Sequence, residues 1–454
     1  MGLFMFIFVR LKNDSMKKIL LTLALCPIAA WAQMNPIGYE EYDLSNGLHV
    51  ILHEDHSTPI VAVSVSYHVG SKNEDPSRTG FAHFFEHLLF EGSENIGRGE
   101  YMELIQDNGG VLNANTSFDR TFYYEILPSN QLELGLWMEA ERMLHAKIDQ
   151  IGVDTQREVV KEELRERNEN TPYGSIMNEV FAHAFVEHPY RWTPGGSPEY
   201  INQASLEEFM DFYKTFYVPN NACISIAGDI DPAQAKEWIA KYFGTIAKGT
   251  HVIPRPTIVE PMKFAEVRDT VYDNIQLPAV VQAYHGPAQG TEEAYAVEMM
   301  SMVLSQGKSS RLQKNVVDKQ QKAIYAGAFP MPSEDPGLLL MFGIANMGTE
   351  VLDLEESMNT EVEKMTQELI SVEELEKLKN QIENNFVSGN ASMSGIAESL
   401  SDYYLYYGGQ TNLVNTELER YLEVSREDIL AAAKKYLREE NRVTLHYLPK
   451  TDKE

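Results

Sequence analysis

Alternating apolar and polar positions predict β-strands in both halves of the chain. Several short runs rich in Val, Ile and Tyr are bounded by turn residues, a pattern typical of strands in a half-buried sheet. The predicted strands are 38–53 (with a turn at 44–47), 60–69, 111–116, 121–127, 222–227, 263–272, 279–284, 323–329, 337–344 and 443–448. The short gap between 111–116 and 121–127 indicates a hairpin.

Apolar residues that recur every three or four positions predict helices between these strands. One helix begins near residue 81, and the others are 101–106, 131–146, 154–168, 181–187, 205–216, 232–243, 292–304, 309–318, 352–368, 372–388, 394–406 and 425–436. The order of strands and helices is similar in the two halves. We therefore predict two α+β halves of like topology, each a mostly antiparallel sheet packed with helices.

A proline-containing stretch without clear periodicity separates the two halves. We read it as a linker at 248–262, between an N-terminal domain at 33–247 and a C-terminal domain at 263–454. A chain of 454 residues is too long for one ordinary core, which agrees with two domains.

The composition is that of a soluble globular protein, but the charge is unusual. Hydrophobic residues make up 43% and charged residues 23% of the chain, and the formal net charge is −29. So acidic a surface argues against binding of nucleic acid or of anionic membranes. Of the two cysteines, Cys26 lies in the N-terminal segment described next. If that segment is removed, the mature chain has Cys223 alone and cannot form an internal disulfide.

The first residues resemble an export signal. A basic start at 16–18 precedes an apolar run at 19–30 that is too short for a stable membrane anchor, and 30–32 reads Ala-Trp-Ala, a fit to the small-x-small cleavage rule. We predict a signal peptide at 1–32, with 1–15 superfluous because the true start is residue 16. The mature chain would be exported, periplasmic or secreted, without a stable membrane span. An uncleaved anchor is the alternative.

The helix near residue 81 carries His83, Glu86 and His87. Histidines four positions apart lie on one face of a helix, one turn apart, and can hold the same metal ion. Glu86 projects beside that face, where its carboxylate can reach a water on the metal. The flanking residues are apolar, so the helix is buried and its polar groups need partners. A zinc site would supply them, and a buried hydrogen-bonded network is the alternative.

Catalytic zinc needs a third protein ligand and one open position. The charged helix at 154–168 offers carboxylates. If Val159, Val160 and Leu164 face the core, Glu163 flanks the apolar face and is favoured over Glu162, which stays open as the alternative. In such a site Glu86 would act as general base in the hydrolysis of a peptide bond.

These residues together resemble the pitrilysin/insulinase family of zinc metallopeptidases, in particular its branch with mitochondrial processing peptidase and bacterial relatives. His83-Phe84-Phe85-Glu86-His87 is similar to the inverted zinc motif of that family. Further similarity lies in the segments 44–48, 87–93, 113–116, 121–124 and 157–163. The resemblance covers most of the mature chain.

The resemblance implies two homologous α+β domains that enclose a chamber, with one zinc ion in the first domain. The family places the third ligand about 76 residues after the second histidine, which is Glu163 here. It also implies that a peptide substrate binds as an added strand at Asn113 and Ala114.

Two positions depart from the family pattern. The family often has a carboxylate seven residues before the third ligand, where this chain has Gln156. In the second domain, Tyr325 fits the position of a substrate-clasping tyrosine, but the position of its partner arginine is Val317. Arg311, in a helix start like that of the family, is a further candidate substrate contact. A related chain could supply the missing arginine in a hetero-oligomer; a homodimer or a lone chain is also possible.

The sequence thus predicts a zinc-dependent endopeptidase that hydrolyses peptides or unfolded segments. Two other classes stay open. One is a non-catalytic assembly subunit of the same fold, and the other is a peptide-binding protein in which Glu86 is idle.

Overall fold

Two β-sheets, one in each half of the chain, organise the protein, and a computed structural model describes residues 36–450. The strands are β1 (Glu40–Asp43), β2 (His49–Glu54), β3 (Ile60–Tyr67), β4 (Val111–Thr116), β5 (Thr121–Pro128), β6 (Ala222–Gly228), β7 (Val267–Asp273), β8 (Ala279–His285), β9 (Ala323–Met331), β10 (Leu338–Ala345) and β11 (Arg442–Pro449).

The two sheets share one topology. The first has the order β1-β2-β6-β3-β5-β4, and the second has β7-β11-β8-β10-β9. Each contains one parallel pair, β2 with β6 and β7 with β11, while all other neighbours are antiparallel. Apart from the extra strand β1, the sheets are therefore equivalent strand by strand, which confirms the predicted α+β fold with two similar halves.

Helices connect the strands in both halves. They are α1 (Phe81–Leu88), α2 (Glu100–Asp107), α3 (Leu132–Leu144), α4 (Gln150–Arg165), α5 (Ile176–Ala184), α6 (Pro198–Gln203), α7 (Leu206–Phe216), α8 (Pro232–Phe243), α9 (Glu292–Ser305), α10 (Val351–Gln367), α11 (Val372–Gly389), α12 (Met393–Tyr406), α13 (Leu413–Glu423) and α14 (Arg426–Tyr436). Two further segments, Glu166–Asn170 and Leu312–Lys319, are π-helical.

Four helical elements differ from the predicted ones. The helix predicted at 181–187 lies earlier, as α5, and ends at the extended residue Phe185. The one predicted at 309–318 is largely π-helical. The apolar pattern predicts neither α6 nor α13. In α6 only Ile201 is buried, too few positions for a periodic pattern, and in α13 a carboxylate, that of Glu417, takes one of the buried positions.

Each half covers the sheet of the other with one helix. Helix α12 packs on β3 and β6 of the first sheet, where Ser66 donates to Ser401 (3.0 Å) and the rings of His49 and Tyr404 stack with centroids 3.6 Å apart. In return, α5 packs on β8 and β11 of the second sheet. This exchange explains why the chain from Gly38 onward forms one compact unit.

The connecting segment 244–266 has neither helix nor strand. The predicted domain boundaries at 247 and 263 stay predictions. The predicted signal peptide at 1–32 lies outside the described residues, as do the first three residues of the predicted N-terminal domain. Within 36–450, every helix is too short or too polar to cross a bilayer.

Candidate metal centre

The helix α1 is buried because its apolar face packs on an aromatic cluster. Phe81 and Phe84 each stack on Phe209 with ring centroids 4.6 Å apart. His83, on the same helix, is buried as well, whereas His87 is partly exposed. The helix thus holds one histidine in the protein interior and the other, one turn further on, in a partly exposed position.

Buried polar groups hold both ends of α1. The Glu74 carboxylate accepts hydrogen bonds from two backbone N–H groups at the helix start, at 2.8 and 2.9 Å. Near the other end, the Tyr123 hydroxyl donates to the carbonyl of Phe85 (3.0 Å), and the Arg142 guanidinium donates to that of Leu89 (2.7 Å). The first two bonds pair N–H groups at the helix start that have no partner within the helix, the other two add donors to carbonyls near its end, and together they fix the position of the helix.

Helix α4 brings a carboxylate to the histidines. Val160 and Leu164 face the core, as predicted, but Val159 is 45% exposed, so the prediction for Val159 is wrong: the face that packs on α1 is narrower than the apolar pattern suggests. The Glu163 side chain is 21% exposed, and that of Glu162 is 56% exposed and bonded to a neighbour on its own helix. Glu163 therefore lies toward α1 and Glu162 toward solvent.

Three side chains that can act as metal ligands lie close together. The Oε2 atom of Glu163 lies 3.0 Å from His87 Nε2 and 3.7 Å from His83 Nε2, and one ligand atom from each residue lies within 4.8 Å of the others. Tetrahedral zinc, with bonds of about 2.0–2.1 Å to nitrogen and oxygen, spaces its ligands by about 3.3 Å. The donor types and their spacing fit a zinc ion.

The electrostatics of the three residues suit metal binding. Burial, and then the proximity of His87, lower the pKa of His83 to about 4, so its imidazole is neutral at pH 7. The hydrogen bond from His87, followed by the nearby charges, lowers the pKa of Glu163 to about 2. The site therefore offers a neutral imidazole and a carboxylate, which are the ligand forms that zinc needs.

Glu86 lies beside this group and is tied to the edge strand β4. Its Oε2 accepts a hydrogen bond of 2.6 Å from the Thr116 hydroxyl, at the last residue of β4. Burial raises the pKa of Glu86 above its ordinary value, which makes the carboxylate a better proton acceptor. The Thr116 contact is thirty positions away in sequence, so nothing in the motif indicates it.

Two more contacts around the ligands were not predicted. Arg167, four residues after Glu163 in the π-helical segment, donates to Glu163 Oε1 at 2.7 Å, on the oxygen that does not face the histidines. Gln156, the departure from the family pattern, donates to the buried carboxylate of Glu91 at 2.5 Å. A carboxylate is therefore present beside Gln156, supplied by the chain just after α1.

The predicted peptide-binding residues Asn113 and Ala114 lie on β4, the edge strand of the first sheet. Among the described strands β4 pairs with β5 alone, so its other edge carries backbone groups without a strand partner. Such an edge can accept an extended peptide. The Glu86–Thr116 contact places the end of this edge at the candidate metal centre.

The predicted contacts of the second half lie in two different settings. Tyr325 is on β9, the edge strand of the second sheet, and is 40% exposed. Arg311 makes a bidentate ion pair with Glu374, with both N···O distances 3.0 Å. Val317 packs against the second core, so no cation occupies the position where the family has its arginine. The substrate roles of Tyr325 and Arg311 stay predictions.

Sequence comparisons identify both halves. Residues 49–192 match the family described as insulinase (peptidase family M16), and residues 203–382 match the peptidase M16 inactive domain. A curated relative named zinc protease PqqE, from Helicobacter pylori, is 30% identical over 448 residues, which cover 97% of this chain and all of the relative. The probable mitochondrial-processing peptidase subunit beta of Arabidopsis thaliana is 25% identical over 80% of this chain and 70% of its own.

Solved structures show the same fold. A protease from Helicobacter pylori superposes with a TM-score of 0.87 at 30% identity, over 91% of this chain and 100% of that one. The periplasmic protease PqqL from Escherichia coli, at 19% identity, has a TM-score of 0.73 over 90% of this chain but only 47% of its own. With full-length similarity to a zinc protease and with both domain types present in order, the chain belongs to the peptidase M16 (insulinase) family.

Proposed function

We propose that the protein is a zinc-dependent endopeptidase that cuts peptides or unfolded polypeptide segments. The observation that carries the proposal is the convergence of His83, His87 and Glu163 beside a second carboxylate, that of Glu86. A protein that only bound a metal would not need this second carboxylate. Membership in a family whose relatives are named zinc proteases supports the same conclusion.

His83, His87 and Glu163 would hold the zinc ion. When bound, zinc lowers the pKa of a coordinated water toward neutrality and polarises a peptide carbonyl. The His87 Nε2 and Glu163 Oε2 atoms, 3.0 Å apart, would both face the ion. Arg167 holds the other oxygen of the Glu163 carboxylate and so orients it.

Glu86 moves the protons of the reaction. Its carboxylate takes a proton from the attacking water as the water oxygen bonds to the carbonyl carbon, and it returns that proton to the amine nitrogen as the C–N bond breaks. The Thr116 hydroxyl holds the Glu86 carboxylate in place between the two transfers. Because Thr116 is part of the edge strand β4, a peptide added to that edge would lie within reach of Glu86.

We also propose that the protein acts together with a second chain of the same fold. This chain matches 47% of the length of Escherichia coli PqqL, so that protease is about twice as long. The valine at position 317 leaves a substrate-binding cation to be provided from elsewhere. A related chain with an arginine at this position would supply it; a homodimer would not.

Export is the third part of the proposal. The basic, apolar and Ala-Trp-Ala segments of 16–32 favour it, and the similar protease PqqL is described as periplasmic. A mature protein with Gln33 as its first residue, found by mass spectrometry of the purified protein, would support export.

One experiment tests the central proposal. The purified protein is incubated with a mixture of peptides, with and without a metal chelator, its zinc content is measured, and the products are identified by mass spectrometry. We expect about one zinc per chain and internal cuts that the chelator abolishes. Stoichiometric zinc with uncut peptides would favour a binding subunit instead, and cuts that persist without metal would refute the zinc mechanism.

A further inference from the structure

The edge strand of the second sheet carries exposed aromatic side chains on one face. Tyr325 is 40% and Phe329 43% exposed, and they point to the same side of β9 because they are four residues apart in a strand. Ala326 and Ala328 point to the opposite side and are buried in the core under α9. The exposed rings are therefore not part of that core.

The two rings close over a glycine. They are nearly parallel, with 7° between their planes and 6.5 Å between their centroids. Gly327 lies between them in sequence, and a Cβ atom built there would lie 2.6 Å from the Tyr325 hydroxyl and 3.0 Å from the Phe329 ring. Phe342, paired with Gly327 on β10, contacts Tyr325 with centroids 6.0 Å apart. We name Tyr325, Gly327, Phe329 and Phe342 the aromatic platform.

Helix α5 covers only part of this face of the sheet. It packs on β8 and β11 through residues such as Val180 and Phe181, whereas the platform lies on β9 and β10 beyond it. Exposed aromatic rings that adjoin a buried core cost free energy in water, and such patches mark binding sites.

A short run of contacts joins the platform to the candidate metal centre. Arg167 contacts Glu163, and Gly174 packs so closely on the Arg167 carbonyl that a Cβ there would lie 1.9 Å from its oxygen. The preceding residue, Tyr173, meets the ring of Phe342 edge to face at 5.9 Å. Ten residues of chain therefore lead from the third metal-binding residue to the platform.

A second series of contacts connects the candidate metal centre with the same face of the second sheet. Thr116, which holds Glu86, is two residues before Phe118, and the Phe118 ring packs on Phe181 of α5 at 4.5 Å. Both routes end at the face of the second sheet that carries the platform. A peptide that lies at Glu86 can thus extend toward these aromatic rings.

We propose that the aromatic platform binds a large apolar side chain of the peptide, preferably an aromatic one, and so selects the substrate of the peptidase. This inference rests on the proposed function. Planar rings offer contact area at low entropic cost, and aromatic pairs add attraction to that of burial. Phe329 is the main determinant because its ring has no polar atom, while the Tyr325 ring forms the opposite wall.

The test measures binding without cleavage. Glu86→Gln protein is used to retain peptides from a mixture, the retained peptides are identified, and one with a large apolar residue is labelled for fluorescence anisotropy. Versions of it with each apolar residue changed singly to Ser identify the residue that the platform contacts. Adding Phe329→Ala should weaken binding of the parent peptide about tenfold and leave the matching Ser version unchanged.

Two further variants complete the design. Phe264→Ala removes an aromatic ring that is 86% exposed in the connecting segment and should leave both affinities unchanged. Tyr325→Phe keeps the ring and should keep the preference for the apolar residue, whatever it does to the cleavage rate. Tyr325→Ala should reduce that preference.

The outcomes separate the two proposals. If Phe329→Ala lowers the affinity for the parent and Ser peptides equally, or changes neither affinity, the platform does not select substrate. This holds even if the wild-type protein cuts peptides. If binding depends on the platform but the wild-type protein with its zinc cuts nothing, the platform stands as a binding site and the proposed peptidase function fails.

Discussion

The edge strands β4 and β9 hold the same position in two sheets of equal topology, yet their side chains have different chemistry. β4 reads VLNANT and ends at the threonine that holds Glu86, whereas β9 reads AIYAGAFPM and carries the aromatic platform. One edge offers backbone groups next to the candidate metal centre, and the other offers apolar surface. In the proposed function, the two halves of a repeated fold thus divide chemistry and recognition between them.

The helices that precede these strands differ in the same way. Helix α1, between β3 and β4, carries His83, Glu86 and His87. Helix α9, between β8 and β9, buries residues such as Tyr295, Met299 and Met300 instead. Buried polar groups in the first helix require partners such as hydrogen bonds or a metal ion, while the second helix is stabilised by apolar packing. The match of the second half to a domain described as inactive agrees with this difference.

The largest effect that separates the two halves is expected from Glu86→Gln. The amide cannot accept the proton of the attacking water, so we expect the rate of peptide cleavage to fall by about 10²–10⁴-fold with zinc content unchanged. Glu292→Gln, at the exposed first turn of α9, is the matched control and should leave the rate unchanged. Peptide cleavage and metal analysis of both proteins check this; equal losses in both would remove the division of roles.

The second prediction distinguishes the neighbouring carboxylates of α4. Glu163→Gln removes a donor 3.0 Å from His87, and we expect at least about tenfold weaker zinc binding and little residual cleavage. Glu162→Gln changes an exposed side chain one position away and should bind zinc like the wild type. Competition with a coloured chelator measures both affinities. Zinc retained by Glu163→Gln and lost by Glu162→Gln would reverse the assignment.

The third prediction concerns the hydrogen bonds from buried side chains that hold α1, in contrast to the apolar packing of α9. Tyr123→Phe deletes the bond to the Phe85 carbonyl, and we expect a loss of about 1 kcal/mol in stability together with a several-fold lower cleavage rate, because the helix with the histidines is less fixed. Tyr67→Phe is the control, since its equally buried hydroxyl has no partner in the described chain. Unfolding curves and cleavage rates of both variants decide. Equal rates would make the Tyr123 bond purely structural.

Local patterns were sufficient to predict much of this arrangement. Strand alternation gave the equivalent strands of the two sheets, and the four-residue spacing predicted that His83 and His87 share a helix face. Orientation on α4 favoured Glu163, although Val159 shows that an apolar residue next to a buried one need not be buried. In each case the information lies within one helix or strand, where backbone geometry dictates the neighbours.

Contacts between distant segments could not be predicted in this way. Thr116 meets Glu86 only because the hairpin β4–β5 folds beside α1, and Arg311 is engaged by Glu374 across 63 positions. Tyr173, shortly before α5, has a left-handed φ of 62° that no sequence pattern indicates. Such features depend on tertiary packing, which overrides local preference.

The smallest expected effect concerns the place where the two equivalent hairpins meet. Asp119, in the β4–β5 turn, and Glu334, in the β9–β10 turn, both bind the buried Lys72, at 2.8 and 2.6 Å. Glu334 also contacts His68, and its backbone N–H donates to Asp119. Burial alone would raise the pKa of Glu334, but the bonds and charges of His68 and Lys72 lower it from 4.5 to about 2.

Because the pKa of Glu334 is lowered in the folded protein, its ionised carboxylate stabilises the fold at pH values above the ordinary pKa of a glutamate. This stabilisation is lost in acid. Glu334→Gln should reduce the free energy of unfolding by about 1–2 kcal/mol at pH 7, and the difference from wild type should shrink as pH falls from about 4.5 toward 2, since the wild-type carboxylate is then protonated. Thermal unfolding across this range measures it, with exposed Glu439→Gln as control. A difference that stays constant or grows in acid would mean that the ionised form of Glu334 does not join the two hairpins.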